Sequence, residues 1–437
     1  MVKRTISTLF CLALAATVLV LPAFAENDYG FDIEPSSRCV YFVCEDTGQV
    51  IYEKNAEEEI TPASTTKIMS AALAMTLCED LDNTIVTVPD GIWNEFDGID
   101  VSCVPLTGGE QLSMRDLIYC MLIPSANEAA STVASYFGYD EFVRLMNEKA
   151  AELGCTHTHF TNPHGVFTDN HYTSAHDMYL ITEWALSVPG FWDMTQLSSY
   201  TLPATNKSEA RELIATNKMQ EPTSGYYTSY IKGIKTGTLN SGRYLVSAAE
   251  KNGMTYVLVA LGSSMDTDTR IWGAGNSIFT DTRLIYDWAF NNLTLTSAIN
   301  DITPVTEIKV HYASKKDSLL LYPSEDIYVV TNKNAKEEPT VEFVPTVPKD
   351  INAPISQGDV IGEAEVIYNG VSIGTVPLAS RETVEFSRFA FIMENLSKIL
   401  SSTTAKIIYA IILVVVVFYV WYMRVLVLRK RKKRKKR

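Results

Sequence analysis

Basic residues are scarce in the body of this 437-residue chain. Two of the 37 Lys and Arg stand near the start and ten lie from Arg424 onward, which leaves 25 against 51 Asp and Glu and a body charged near −26. Such a field repels nucleic acid and anionic lipid, so neither is an expected partner of the body. Long uncharged apolar runs are missing too, except at the two ends. Cysteine is sparse, seven in all.

The N-terminal run, "MVKRTISTLFCLALAATVLVLPAFAEN", has Lys3 and Arg4, an apolar stretch from Ile6 to Leu21, and Ala23-Phe24-Ala25 before Glu26. That pattern predicts a cleaved secretory signal over residues 1–25. The C-terminal run is apolar on every face from Ile407 to Met423, extends to Leu428 if Arg424 snorkels, and is followed by a basic tail over 429–437. It predicts one membrane-spanning helix over 407–428 with the tail in the cytoplasm, Tyr409, Trp421 and Tyr422 suiting the interfaces. Export removes Cys11 and leaves Cys39, Cys44, Cys78, Cys103, Cys120 and Cys155 where bridges are possible. Cys78 and Cys120 sit in apolar helical runs that suit buried free thiols as well.

Between the ends, "RCVYFVCEDTGQVIYEK" predicts two strands turning at Asp46-Thr47-Gly48. A helix from about Ser64 to Cys78 is apolar on most sides and so belongs inside a domain. "LSMRDLIYCMLIPSANEAASTVASYFG" predicts two apolar helices broken at Pro124-Ser125-Ala126-Asn127. Helices follow near 140–153 and 174–187, then three strands in "YIKGIKTGTLNSGRYLVSAAEKNGMTYVLVALGSS" with a turn at Asn252-Gly253, then a helix over about 280–291. Strands at both ends with helices between them predict an α/β (α+β) domain over 26–298 whose sheet joins its termini. Residues 303–390 carry short alternating strands, "DIYVVT" among them, and predict a small all-β sandwich. An amphipathic connector over 391–406 leads into the membrane helix. The sandwich holds no catalytic constellation, and its place in the chain fits a spacer between site and anchor.

Chemistry concentrates at three places. Ser64 and Lys67 in "TPASTTKIMS" share a helix face, and a desolvated amine at that spacing can take the serine proton. Alone, the pair also fits a capping serine and a solvated lysine. Ser125 and Asn127 stand in the polar break between the two apolar helices. Lys235, Thr236 and Gly237 lie in a strand before Thr238; the cation and hydroxyl suit a carboxylate, and the glycine leaves room for a ligand along the strand.

In that order the three groups resemble the penicillin-recognising serine acyltransferases, and within them the low-molecular-mass D-alanyl-D-alanine carboxypeptidases of the peptidase S11 type. "PASTTKIM", "LIPSANEAA", "FVRLMNEKAAELGCTHTHFTNPHGV", "HYTSAHDM" and "GIKTG" carry the resemblance, and "APISQGDVIGEAEV" with "GVSIGTVPL" resembles the family's C-terminal β-domain. It implies a β-lactamase/penicillin-binding-protein-like catalytic domain in which Ser64 attacks the bond between two D-alanines with Lys67 as base. It further implies that the amides of Ser64 and Thr238 hold the oxyanion and Ser125 passes a proton to the leaving amine. Asn127 would hold the substrate amide, and Lys235 with Thr236 would support Ser125 and bind the free carboxylate, with Gly237 beside them. The implied partners are peptidoglycan stem peptides, β-lactams and, through the C-terminal helix, the cytoplasmic membrane, with the catalytic domain outside; no cofactor and no metal are implied.

Two departures stand out. Ala126 and Glu128 replace the family's usual Gly and Asp, and where members place an Arg beyond the third motif this chain has "GNSIFTDTRLIYDW", with Arg270 and Arg283 flanking. The alternatives are a D,D-endopeptidase, a β-lactamase-type hydrolase, or a non-catalytic wall-binding or β-lactam-sensing protein. A class A β-lactamase needs a Glu to activate its deacylating water, and none occurs between Glu152 and Glu183. His157, His159, His164, His171 and His176 crowd together, and a His-x-His pair is a rival zinc reading.

Overall fold

The computed structural model describes residues 29–264, 277–299, 303–334, 340–368 and 370–434. The expected signal segment, Arg270 and the last three residues of the basic tail lie outside the described residues. Of the described residues, those between Ala25 and Thr296 and between Tyr328 and Glu338 form one compact body; those between Ser297 and Ile327 and from Pro339 onward form a second.

The first body starts with β1 (Cys39–Cys44) and β2 (Gln49–Lys54), then a 3-10 turn Ala63–Thr66 running into α1 (Lys67–Leu77). The short pair β3 (Ile85–Thr87) and β4 (Gln111–Ser113) brackets a long loop with a 3-10 turn Ile92–Phe96. Helices α2 (Met114–Leu122), α3 (Asn127–Phe137), α4 (Tyr139–Glu152), α5 (Ala175–Ser187) and α6 (Phe191–Thr195) follow. A second small pair, β5 (Ser199–Leu202) and β6 (Arg211–Ile214), precedes the long strands β7 (Ile231–Leu239), β8 (Gly242–Lys251) and β9 (Met254–Ser263), then α7 (Ser277–Asn292) and β10 (Leu293–Ile299).

The antiparallel sheet runs β2-β1-β9-β8-β7, so the first strands of the body pair with the last, Val43 opposite Val257. Both faces are covered, and the period-two alternation of strand side chains divides the core in two. Tyr41, Val43, Val246, Val257 and Val259 face the helical cluster that includes Ile68, Leu117, Ala130 and Ile181. Val40, Phe42, Leu245, Tyr256 and Leu258 face the cluster around Ile285, Tyr286 and Phe290 of α7. From Lys67 to Met75 every residue of α1 is buried, which is why this helix reads as apolar on most sides.

The second body holds β11 (Thr306–His311), β12 (Ser318–Pro323), β14 (Val341–Thr346), β15 (Asp350–Asn352), β16 (Val360–Tyr368) and β17 (Val371–Ser380), named here with β13 (Ile327–Asn332) between β12 and β14 in the chain. Six of these make one ladder, β14-β16-β17-β12-β11-β15, and the β-sandwich closes on Ile308, Val310, Leu319, Leu321, Ala364, Val366 and Leu378. "DIYVVT" behaves differently: β13 pairs with β10, Val330 N–H donates to Gln49 Oε1 at 2.6 Å, and Val330 joins the cluster of Phe42 and Tyr286. Beyond the sandwich come α8 (Arg388–Ser401) and α9 (Thr403–Arg434), separated by Ser402 in an extended conformation. The apolar helix thus begins at Thr403, four residues before the stretch read from hydropathy. Tyr312 packs edge-on against Phe391 at 4.9 Å and His311 pairs with Glu394 at 2.9 Å, tying α8 to the sandwich.

Candidate active site

Ser64 lies in the 3-10 turn, one residue after Ala63, whose φ of 53° puts a side-chain-bearing residue in the left-handed region. What holds it there is crowding from two directions. A Cβ on Gly237 of β7 would stand 3.0 Å from Ala63 Cβ and 3.3 Å from Ser64 N, so a side chain there would crowd the strand against the serine turn, which glycine avoids. A Cβ on Gly165 would meet Ala63 O at 1.8 Å, so the 162–165 turn also requires glycine at its crossing.

Lys67 opens α1 and is fully buried. Its Nζ lies 3.1 Å from Ser64 Oγ, 2.8 Å from Asn127 Oδ1 and 2.6 Å from the main-chain oxygen of His164. Burial, helped by the positive charge of Lys235, holds this amine well below the ordinary lysine range; Glu128 opposes the shift. As an ammonium group Lys67 donates to all three acceptors; in the neutral form two hydrogens would serve Asn127 and His164 and leave the lone pair for the Ser64 hydroxyl. Lys235 is buried on β7, donates to Thr236 O at 2.8 Å, and is lowered by burial to about 7.

Ser125 has φ 68°, a second left-handed non-glycine residue in the same site. Its Oγ is buried and makes no hydrogen bond among the described residues. No bond links it to Lys235; the lysine instead turns to its neighbour's carbonyl. Asn127, first residue of α3, donates from Nδ2 to Ser102 O at 2.9 Å while its oxygen receives Lys67. Thr236 bonds Thr216 through the two hydroxyls, and Thr238 is exposed at the open end of β7. Ser64, Lys67 and Asn127 are thus in direct contact, Gly237 backs onto Ser64, and Lys235 acts on Lys67 through its field. Arg283 pairs with Asp287 along α7 at 3.6 Å.

Glu128, in place of the usual Asp, is buried; its Oε1 accepts from Val104 N–H at 2.6 Å, Oε2 has no partner among the described residues, and burial raises its carboxyl. It pins the loop whose Ser102 carbonyl receives Asn127. The histidines divide. His171 is held at about 3 by burial; Thr161 N–H donates to its Nδ1 at 3.0 Å, so its Nε2–H reaches Thr66 Oγ1, also at 3.0 Å. His164 is buried against Glu95 at 2.9 Å. The His-x-His pair is split, His159 bonding Asn170 O at 2.7 Å. Glu57, His157 and Asp177 bring one ligand atom each within 4.8 Å of one another, but Asp177 Oδ2 already accepts from His157 N and Thr158 Oγ1, both at 2.7 Å. All six cysteines from Cys39 to Cys155 are free thiols.

Sequence reasoning missed Glu95, Ser102 and Thr216. Each reaches the site from a loop or short strand pair distant in the chain, with no local pattern to mark it.

Residues 32–265 match the family model described as D-alanyl-D-alanine carboxypeptidase, and residues 297–386 match the C-terminal domain of penicillin-binding protein 5. The chain is 27% identical over 395 residues to D-alanyl-D-alanine carboxypeptidase DacF of Bacillus subtilis (strain 168), covering 89% of this chain and 96% of that protein. It is 28% identical over 353 residues to DacC of Escherichia coli (strain K12), covering 78% and 83%. In fold it is similar to penicillin-binding protein 5 from Haemophilus influenzae, with a TM-score of 0.64 at 22% identity over 81% of this chain and 99% of that one.

Proposed function

The chain belongs to the D-alanyl-D-alanine carboxypeptidase family, and on that premise we propose that Ser64 is its nucleophile and Lys67 the general base. It is a serine carboxypeptidase of the penicillin-binding type, acting on peptidoglycan stem peptides that end in D-alanyl-D-alanine. The observation that carries the assignment of roles is the contact of buried Lys67 Nζ with Ser64 Oγ at 3.1 Å, its other two neighbours being acceptors. Neutral Lys67 takes the hydroxyl proton as Oγ bonds to the carbonyl carbon of the penultimate D-alanine. A base so placed contributes about 10²–10⁴ in rate. The amides of Ser64 and Thr238 receive the developing oxyanion.

The C–N bond then breaks, and the proton passes from Lys67 through Ser125 to the departing amine, leaving an ester on Ser64. Ser125 is suited to this relay because its hydroxyl is buried and has no hydrogen-bond partner among the described residues. Asn127 orients Lys67 and holds the substrate amide, while Lys235 and Thr236 receive the free carboxylate, whose charge favours the protonated lysine. Water hydrolyses the ester with Lys67 again as base. A β-lactam acylates Ser64 by the same step: its ring C–N bond breaks, and the nitrogen takes the proton but stays tethered to the acyl group.

Thr403–Leu428 is the one helix among the described residues long and apolar enough to cross a bilayer; its 26 residues span about 39 Å against about 30 Å of hydrocarbon. It anchors the enzyme, with the basic residues after it in the cytoplasm and Ser64 outside. The domain boundaries that follow are a catalytic domain over 26–298 and a sandwich over 303–390, with β13 serving the first.

Incubating the full-length protein in detergent with a pentapeptide ending in D-Ala-D-Ala tests the reading by mass spectrometry. One D-alanine released by the parent and none by Ser64→Ala is expected. Release by both variants would remove Ser64 from the mechanism.

A further inference from the structure

Glu95 belongs to none of the three motifs, yet several side chains converge on its carboxylate from the 3-10 turn Ile92–Phe96. Oε1 receives His164 Nε2 at 2.9 Å and the Tyr139 hydroxyl; Oε2 receives Ser131 Oγ at 2.6 Å. Val166 N–H donates to His164 Nδ1 at 3.1 Å, which places the ring proton on Nε2, facing Glu95. Phe96 packs edge-on against the same ring at 5.1 Å. The imidazole is 3% exposed and therefore has one place to be.

The other end of this residue touches the chemistry. The His164 carbonyl oxygen accepts from Lys67 Nζ at 2.6 Å, the shortest of the three Lys67 contacts. A neutral amine has its lone pair aimed by wherever its two hydrogens are bound. Asn127 fixes one of those directions and the His164 carbonyl the other.

We propose that Glu95 is a positioning residue for Lys67: by holding the His164 imidazole it fixes the peptide carbonyl that receives one amine hydrogen, and so aims the lone pair at Ser64. The inference rests on Lys67 being the base. Charges facing Lys67 come from Lys235 on β7 and Glu128 on α3, with the His164 and His171 rings on the 157–173 segment. Burial pushes the Glu95 carboxyl up, but the bonds from His164, Ser131 and Tyr139 outweigh it and hold it at about 2. Glu95 is therefore ionised across the range tested and its own titration does not enter the profile; of the groups facing Lys67, Lys235 also titrates there, at about 7.

The test is the rate of acylation by a fluorescent penicillin from pH 5 to 10, on the full-length protein in detergent, beside thermal melts. Glu95→Ala is expected to lower the plateau rate about 10- to 100-fold, the cost of a misplaced reacting group. It is also expected to move the acid limb to higher pH, because a loosened site admits water and favours the ammonium form. Glu95→Gln, which keeps an oxygen for His164, is expected to recover most of the rate. Should Glu95→Ala not fold, Ser131→Ala is expected to show the same displacement at smaller size. An unmoved acid limb in the folded variants overturns the inference, as does Glu95→Gln as slow as Glu95→Ala. A Lys67→Ala control that acylates at the parent rate fails the underlying reading instead.

Discussion

In the body that carries Ser64, charged and titratable side chains are buried among apolar ones: Lys67, Lys235, Glu128, His164, His171 and Asp177 are each 3% exposed or less. Beyond residue 300 the one polar side chain buried to that degree among the described residues is Ser380. The two bodies face the same physics, since an ion taken from water costs several kcal/mol unless partners receive it. The sandwich avoids that cost with alternating strands whose polar residues face out. The catalytic body accepts it around one serine, and each buried group there has a partner or a pKa displaced toward neutrality.

Lys67→Met breaks the comparison most strongly. Replacing the base should slow acylation by about 10³-fold while the melting temperature holds or rises, because a buried amine gives way to an apolar side chain. A fluorescent-penicillin rate within tenfold of the parent would contradict the role. In the other body, Leu321→Ala removes a fully buried side chain from the sandwich and should cost about 2–5 kcal/mol of that body's stability, read by calorimetry. The acylation rate should be unchanged; a matching fall in rate would show that the sandwich carries more than support.

Lys235→Ala sharpens the comparison within the site. It should lower acylation about 10²-fold and displace the acid limb of the pH profile upward. The sign follows from Lys235 lowering Lys67: without that charge Lys67 keeps its proton to higher pH, and the neutral base appears later. The displacement should fade above about pH 7, where Lys235 itself is neutral. The smallest effect belongs to an exposed pair. Arg38→Ala removes the Arg38–Glu58 bridge and should change stability by less than about 1 kcal/mol in a thermal melt.

Much of this was legible because the signals are local. Ser64 and Lys67 are three apart and meet at 3.1 Å, as helical spacing requires. Pro124 separates two apolar runs, and Asn252-Gly253 closes a hairpin, each by its own backbone chemistry. What escaped depends on contacts across long separations. Glu95 and His164 are 69 residues apart with no periodicity between them. "DIYVVT" alternates like its neighbours, and alternation says that one face is buried without saying in which sheet. Val329 and Val330 are both fully buried, a sign of double coverage that only the packing with β10 and Gln49 explains. Ser402 ends one helix and precedes another, and that break falls inside the stretch read as a single connector over 391–406.

The central claim is that Lys67 is a neutral amine beside Ser64 at the pH where the enzyme works. A heteronuclear NMR titration of lysine side chains in the labelled full-length protein, assigned with Lys67→Arg and Lys235→Arg variants, tests it most directly. One resonance titrating well below the ordinary lysine value of 10.5, and lost in Lys67→Arg, is the expected result. A Lys67 signal that titrates with the surface lysines would contradict the account.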